Sequence, residues 1–94
     1  MQVQWTEKAN HNLDEVEAYL AHDNPEAVIR VVLKVIRSVE QLVDSPSLGR
    51  PGRILGTREL VIGGAPFLVP YRVRGEVIEI LDVLHGAMKW PTRL

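Results

Sequence analysis

The sequence predicts an α+β fold: an N-terminal strand, then a two-helix hairpin packed on a twisted antiparallel β-sheet, in the order β-α-α-β-β-β. Three observations carry that prediction. Apolar residues recur at helical spacing from Ala9 to Leu42, broken only at Asn24-Pro25. Three strand-like runs then follow, at 57–62, 67–74 and 76–85, separated by glycine-bearing breaks. Between the last two stands Gly75-Glu76, which has the glycine-first form of a two-residue type II′ hairpin turn.

Each element has a local cause. Val3 and Trp5 alternate with Gln2 and Gln4 as in a short strand. Thr6 is placed to cap a helix, and Glu7 sits in its first turn, where the helix dipole favours an acid. Ala9, Leu13, Val16 and Leu20 form the apolar stripe of that helix, with Asp14, Glu15 and Glu17 as a solvated face, and it ends near Ala21-His22-Asp23. Asn24 caps a second helix, and Pro25 suits its first position, where a missing N–H costs nothing. The next stretch is rich in β-branched residues, which by propensity alone would allow a strand. Spacing decides against it: Val28, Val32, Val35, Val39 and Leu42 make one stripe, leaving Arg30, Lys34, Arg37 and Glu40 largely outside. Residues 45–52 are dense in breakers and read as a loop. Gly63-Gly64 reads as a turn, because no lysine and helix follow as a phosphate-binding loop requires. The Gly75-Glu76 turn sets a register in which Arg74 faces Val77, Val73 faces Ile78, Arg72 faces Glu79 and Tyr71 faces Ile80. Pro70 has no N–H for a ladder, so that side of it is expected at an edge or an interruption.

Ninety-four residues with 46% hydrophobic content suit a single domain, 1–94, with a real core. No apolar run approaches the roughly 18 residues of a membrane span, and the N-terminus does not read as a secretory signal. Without cysteine there is no disulfide framework and no thiolate metal site. His11, His22 and His85 are not spaced as a known ligand motif. A cytoplasmic protein with no metal and no cofactor is the expectation. The net charge of −1 hides an asymmetry: residues 1–46 hold four cations against eight acids (−4), residues 47–94 seven against four (+3). The second half is therefore expected to attract an anionic partner. The overall balance lacks the basic excess of a dedicated nucleic-acid binder.

Several short motifs run in order along the chain: Pro46-x-x-Gly49-Arg50-x-Gly52, Gly56-Thr57-Arg58-Glu59-Leu60, Tyr71-Arg72-Val73, Val83-Leu84-His85-Gly86-Ala87, and Trp90-Pro91. With the Trp5-Thr6 step from strand to helix, this pattern resembles the RelE/ParE superfamily of toxins from type II toxin–antitoxin (plasmid stabilisation) systems, from Val3 to Pro91. The resemblance implies a helical hairpin on a twisted sheet, growth arrest as the activity, and a small, partly disordered cognate antitoxin as partner. It also implies assembly with that antitoxin into a hetero-oligomer, or a homodimer. Two modes of action divide the superfamily. ParE-like members inhibit DNA gyrase and cleave nothing, whereas RelE-like members cleave mRNA on the ribosome. A toxin-like relative kept for complex formation is a third reading.

Metal-independent RNA cleavage needs a base, an acid and cations around the phosphorane. The resemblance offers Arg58 and Arg72 as cations and His85 as acid or base, so whether the chain is an enzyme turns on them. Arg72 and His85 have structural alternatives, Arg72 to pair with Glu79 across the hairpin and His85 to close the last strand; Arg58 is either functional, in cleavage or in contact with an antitoxin, or structural. Tyr71, Lys89 and Trp90 are candidate binding residues; Trp90 can stack on a base but cannot transfer a proton. Met88 stands where many relatives carry arginine. Arg50 and Arg53 read as mobile loop cations able to meet an anionic partner. The near-neutral charge and the missing terminal acid/base favour the gyrase reading. The antitoxin is expected on the sheet face and helical hairpin, drawn by the basic half.

Overall fold

The computed structural model describes residues 1–64 and 67–85. β1 (Gln2–Trp5) leads through Thr6 into α1 (Glu7–Asp23), and Asn24 leads into α2 (Pro25–Glu40). Both caps are made as the sequence predicts. The Thr6 hydroxyl accepts the Ala9 N–H at 3.1 Å, and the Asn24 side chain accepts that of Ala27 at 3.3 Å. A 3₁₀ turn at Gln41–Val43 follows α2. The sheet then adds β2 (Arg50–Pro51), β3 (Arg58–Val61), β4 (Phe67–Arg74), β5 (Val77–Ile80) and β6 (Leu84–His85).

The strand order is β1-β5-β4-β3-β2, with β6 also on β4. All pairings are antiparallel except β1 with β5, which is parallel. The 17-residue α1 and the 16-residue α2 lie between those two strands in the chain, and so long a crossover permits parallel pairing. The β4–β5 register matches the expected one, residue for residue. Gly75 takes a positive φ of 57° and Glu76 does not, as a type II′ turn requires.

Two segments depart from expectation. Residues 45–52 are not all loop, because Arg50 and Pro51 pair with Glu59 and Arg58 at the sheet's far edge. The run 76–85 is not one strand: pairing with β4 stops at Tyr71↔Ile80 and resumes at Leu68↔Leu84. Pro70 causes the break. Leu81 still donates its N–H to the Pro70 carbonyl at 2.9 Å, but Pro70 has none to return. The Leu81 carbonyl is met instead by the Thr6 hydroxyl at 3.4 Å. Three residues, Leu81 to Val83, then stand opposite Val69 and Pro70, a bulge that turns Asp82 inward.

Alternation sorts the side chains. Leu60, Phe67, Val69, Tyr71, Ile78 and Ile80 share one face and are buried with Ala9 and Leu13 of α1, Val35 and Val39 of α2, and Leu42. Val28 and Val32, from the expected stripe, are only partly buried, and it is Val31 that packs against the core. Glu59, Pro70, Arg72, Arg74 and Glu79 occupy the opposite face. Among the described residues, no helix is long and apolar enough to cross a membrane.

Candidate functional site

The residue with the most constrained surroundings is Tyr71, fully buried in the central strand. Its hydroxyl donates to the Pro46 carbonyl at 2.7 Å and accepts the Gly49 N–H at 2.9 Å. From β3, the Arg58 guanidinium reaches the same segment, donating to the Gly49 carbonyl at 2.7 Å and the Ser47 carbonyl at 3.4 Å. Gly49 has to be glycine, since a Cβ there would lie 2.6 Å from Tyr71 Cε1 and 2.9 Å from the Glu59 carbonyl oxygen. Burial raises the Tyr71 pKa, an effect offset in part by the Gly49 N–H and the Arg58 charge. The phenol is therefore a neutral anchor at physiological pH, with both hydrogen-bonding roles of its oxygen in use.

On the opposite face, Glu59 is 2% exposed and collects the loop that follows β2. Its carboxylate accepts from Arg50, with Nη2 at 3.1 Å and Nε at 3.2 Å, and from the Arg53 backbone N–H at 3.0 Å. The expectation of mobile cations is thus corrected: Arg50 is ion-paired to a buried acid, and Arg53 is held through its backbone and has a further contact. On the same face Arg72 Nε lies 3.0 Å from Glu79 Oε1, and Arg74 Nε 3.4 Å from it. The cross-strand pair read from the register is present.

His85 sits opposite Phe67, with their rings edge-to-face at 5.4 Å between centroids. The two residues join Asn12, Glu15, Val16, Tyr19 and Val83 around a groove of about 470 Å³ between α1 and the start of β4. Nearby, the bulge buries Asp82, whose carboxylate accepts the Val83 N–H at 2.8 Å and the Asn12 side-chain amide, with Lys8 Nζ at 3.6 Å. Sequence reasoning gave no role to Asp82 or Glu59. The available signal was an acid inside the apolar run Leu81-Asp82-Val83-Leu84, where only a satisfied carboxylate can be buried.

The three residues proposed for cleavage do not converge. Arg58 pairs in register with Tyr71 and Arg72 follows Tyr71, so the two arginines point to opposite faces of the sheet. His85 shares Arg58's face but is in register with Phe67, four residues along β4 from Tyr71, on the order of 13 Å away, and on the other flanking strand. A general acid and a phosphate-binding cation must both lie within hydrogen-bond reach of one reacting group, roughly 3 Å. Of the arginines of the C-terminal half, Arg50, Arg72 and Arg74 share the outer face of the sheet, paired with Glu59 and Glu79, whereas Arg58 lies on the core face and donates to the Gly49 carbonyl. Met88, Lys89 and Trp90 lie outside the described residues. Among those described, no cluster of three or more His, Cys, Asp or Glu is placed to hold a metal ion.

Comparison with known proteins places this geometry. Residues 3–90 match the family model described as the ParE toxin of the type II toxin–antitoxin system parDE. The chain is 45% identical over 89 residues to "Putative toxin Y4kP" of Sinorhizobium fredii, covering 95% of this chain and 92% of that one. It is 29% identical over 86 residues to "Toxin RelE2" of Caulobacter vibrioides, covering 92% and 96%. Among solved structures, a chain of the chromosomal ParDE system from P. aeruginosa superposes with a TM-score of 0.83 at 32% identity, covering 90% of this chain and 95% of that one.

Proposed function

The chain belongs to the ParE toxin family of type II toxin–antitoxin systems, and from that premise we propose that it arrests growth by binding and inhibiting DNA gyrase until its cognate antitoxin sequesters it. The observation that carries this reading over RNA cleavage is the placement of the arginines. Arg58 and Arg72 face opposite sides of the sheet, and each is occupied inside the molecule, Arg58 by the carbonyls of Ser47 and Gly49, Arg72 by Glu79. Such cations hold a surface in shape; they do not stand ready for a developing phosphorane charge. Inhibition by binding asks only for a rigid, complementary surface. The test is supercoiling of relaxed plasmid by purified gyrase with the toxin titrated in. Dose-dependent loss of supercoiling is expected, and full activity at excess toxin would overturn the reading.

A second reading, a ribosome-dependent mRNA endoribonuclease, draws support from the name of the Caulobacter relative, a RelE toxin. It requires Arg58, Arg72 and His85 to act on one phosphate. Primer extension on mRNA from expressing cells tests it, and new 5′ ends that appear only with the intact toxin would favour it over gyrase binding.

A further inference from the structure

A hydrophobic side chain on a surface carries no message by itself, but the way one is held can. Leu55, in the loop joining β2 to β3, is 100% exposed, and no other large apolar side chain among the described residues exceeds 68%. The loop that carries it is tied at each step. Across its neck the Gly52 N–H donates to the Thr57 carbonyl at 2.9 Å, and the Arg53 N–H donates to the buried Glu59 carboxylate at 3.0 Å. The Ile54 carbonyl accepts both the N–H and the hydroxyl of Thr57, at 3.1 and 2.6 Å. That closes a four-residue turn from Ile54 to Thr57, with Gly56 third at a φ of 81°, as a type II turn requires. Leu55 takes the second place, at the outer corner, where proline is the favoured residue. Backbone geometry asks for no leucine there, and a fully exposed side chain adds nothing to the core. The fold does not account for it.

We infer that Leu55 is a pre-set anchor by which the toxin enters an apolar, acid-rimmed pocket on its protein target. A convex turn tipped with one branched aliphatic group fits a concavity, and the hydrogen bonds that already hold the loop leave little ordering entropy to lose on binding. Charge selects the rim. Between residues 47 and 61 the charged side chains are Arg50, Arg53, Arg58 and Glu59. Arg58 is on the core face, while Arg50 and Arg53 are exposed at the base of the loop, and Glu59 offsets one of them. One positive charge in excess therefore stands beside the anchor, and its complement is acidic. A phosphate backbone would supply the acid but no pocket for Leu55. This rests on the proposed action by binding to gyrase, and it names the part of the toxin that makes the contact.

The experiment titrates wild-type toxin, Leu55→Ala, Leu55→Lys and Leu55→Glu into purified gyrase and reads the concentration that halves supercoiling. With the side chain outside the core, all three variants are expected to unfold at the wild-type temperature and to bind antitoxin within about twofold of wild type. Truncating an anchor that is buried in the complex is expected to raise the half-inhibitory concentration about tenfold for Leu55→Ala. Leu55→Glu, set against acids, is expected to lose more, and Leu55→Lys, with an apolar stem and a positive head, less than Leu55→Glu. A folded Leu55→Ala that inhibits like wild type would overturn the inference. So would a Glu variant no worse than the Lys variant, a loss of antitoxin affinity matching the loss of inhibition, or a main loss in affinity for duplex DNA. Growth arrest without antitoxin separates this inference from the gyrase reading. If wild-type toxin stops growth yet leaves gyrase untouched, the gyrase reading alone fails; relief of arrest by Leu55→Ala then supports the anchor, and undiminished arrest would overturn it.

Discussion

Replacing Tyr71 with Phe removes one oxygen and leaves the ring that packs under the helices. In the wild type that oxygen donates to the Pro46 carbonyl and accepts the Gly49 N–H, both on the segment bridging the 3₁₀ turn and β2. Gly49 is buried, so its N–H has no water to turn to when the hydroxyl is deleted. An orphaned buried donor costs roughly 1–3 kcal/mol, and no cavity cost is added because the ring volume is unchanged. For a domain of this size each 1 kcal/mol moves Tm by about 4–8 °C. A loss near 2 kcal/mol therefore lowers Tm by roughly 8–16 °C, read by far-UV circular dichroism at neutral pH. The same variant alters the alkaline limb. Burial raises the folded pKa of Tyr71 above its ordinary value of 10.0, so below that pH both states keep the proton and the contribution is complete. As pH rises past it, the unfolded chain gives up its proton first, and stability falls toward the folded pKa. Tyr71→Phe lacks this component of the fall. A variant with Tm within about 2 °C of wild type and unchanged protection of the Gly49 amide would refute the anchor.

Gly49→Ala places a methyl against Tyr71 and the Glu59 carbonyl and is expected to cost about 1–3 kcal/mol, seen as a lower urea midpoint. Asp82→Ala strands the Asn12 amide and the Val83 N–H and is expected to cost about 2–3 kcal/mol by the same measurement, since Lys8, half exposed, adds little. Gly75→Ala forces a side chain into positive φ and is expected to cost about 1 kcal/mol in thermal unfolding, with antitoxin affinity retained.

Much of the architecture was legible because its causes are local. Thr6 and Asn24 announce their caps through side-chain oxygens one step before an apolar period, and Gly75 fixes a register that places Arg72 against Glu79. Pro70 even announced an interruption, though not the residues it would displace. What escaped has non-local causes. The parallel pairing of β1 with β5 joins strands more than seventy residues apart, and neither strand carries a mark of the other. Arg58 ends on backbone carbonyls, acceptors every residue possesses, so no pattern in the sequence could point to Ser47 and Gly49. The partner of Arg50, whose side chain stays largely exposed, escaped for a related reason: Glu59 looked like an ordinary strand acid until the loop folded over it.

The most direct test of the proposal that this toxin acts by binding is growth arrest by Arg72→Gln expressed without antitoxin. Glu79 keeps Arg74 as a partner, so the fold tolerates the change, and Arg72 is the cation that a cleavage mechanism cannot spare. Arrest equal to wild type is the predicted result. Normal growth of the folded variant, in cells that the wild-type toxin stops, would contradict it.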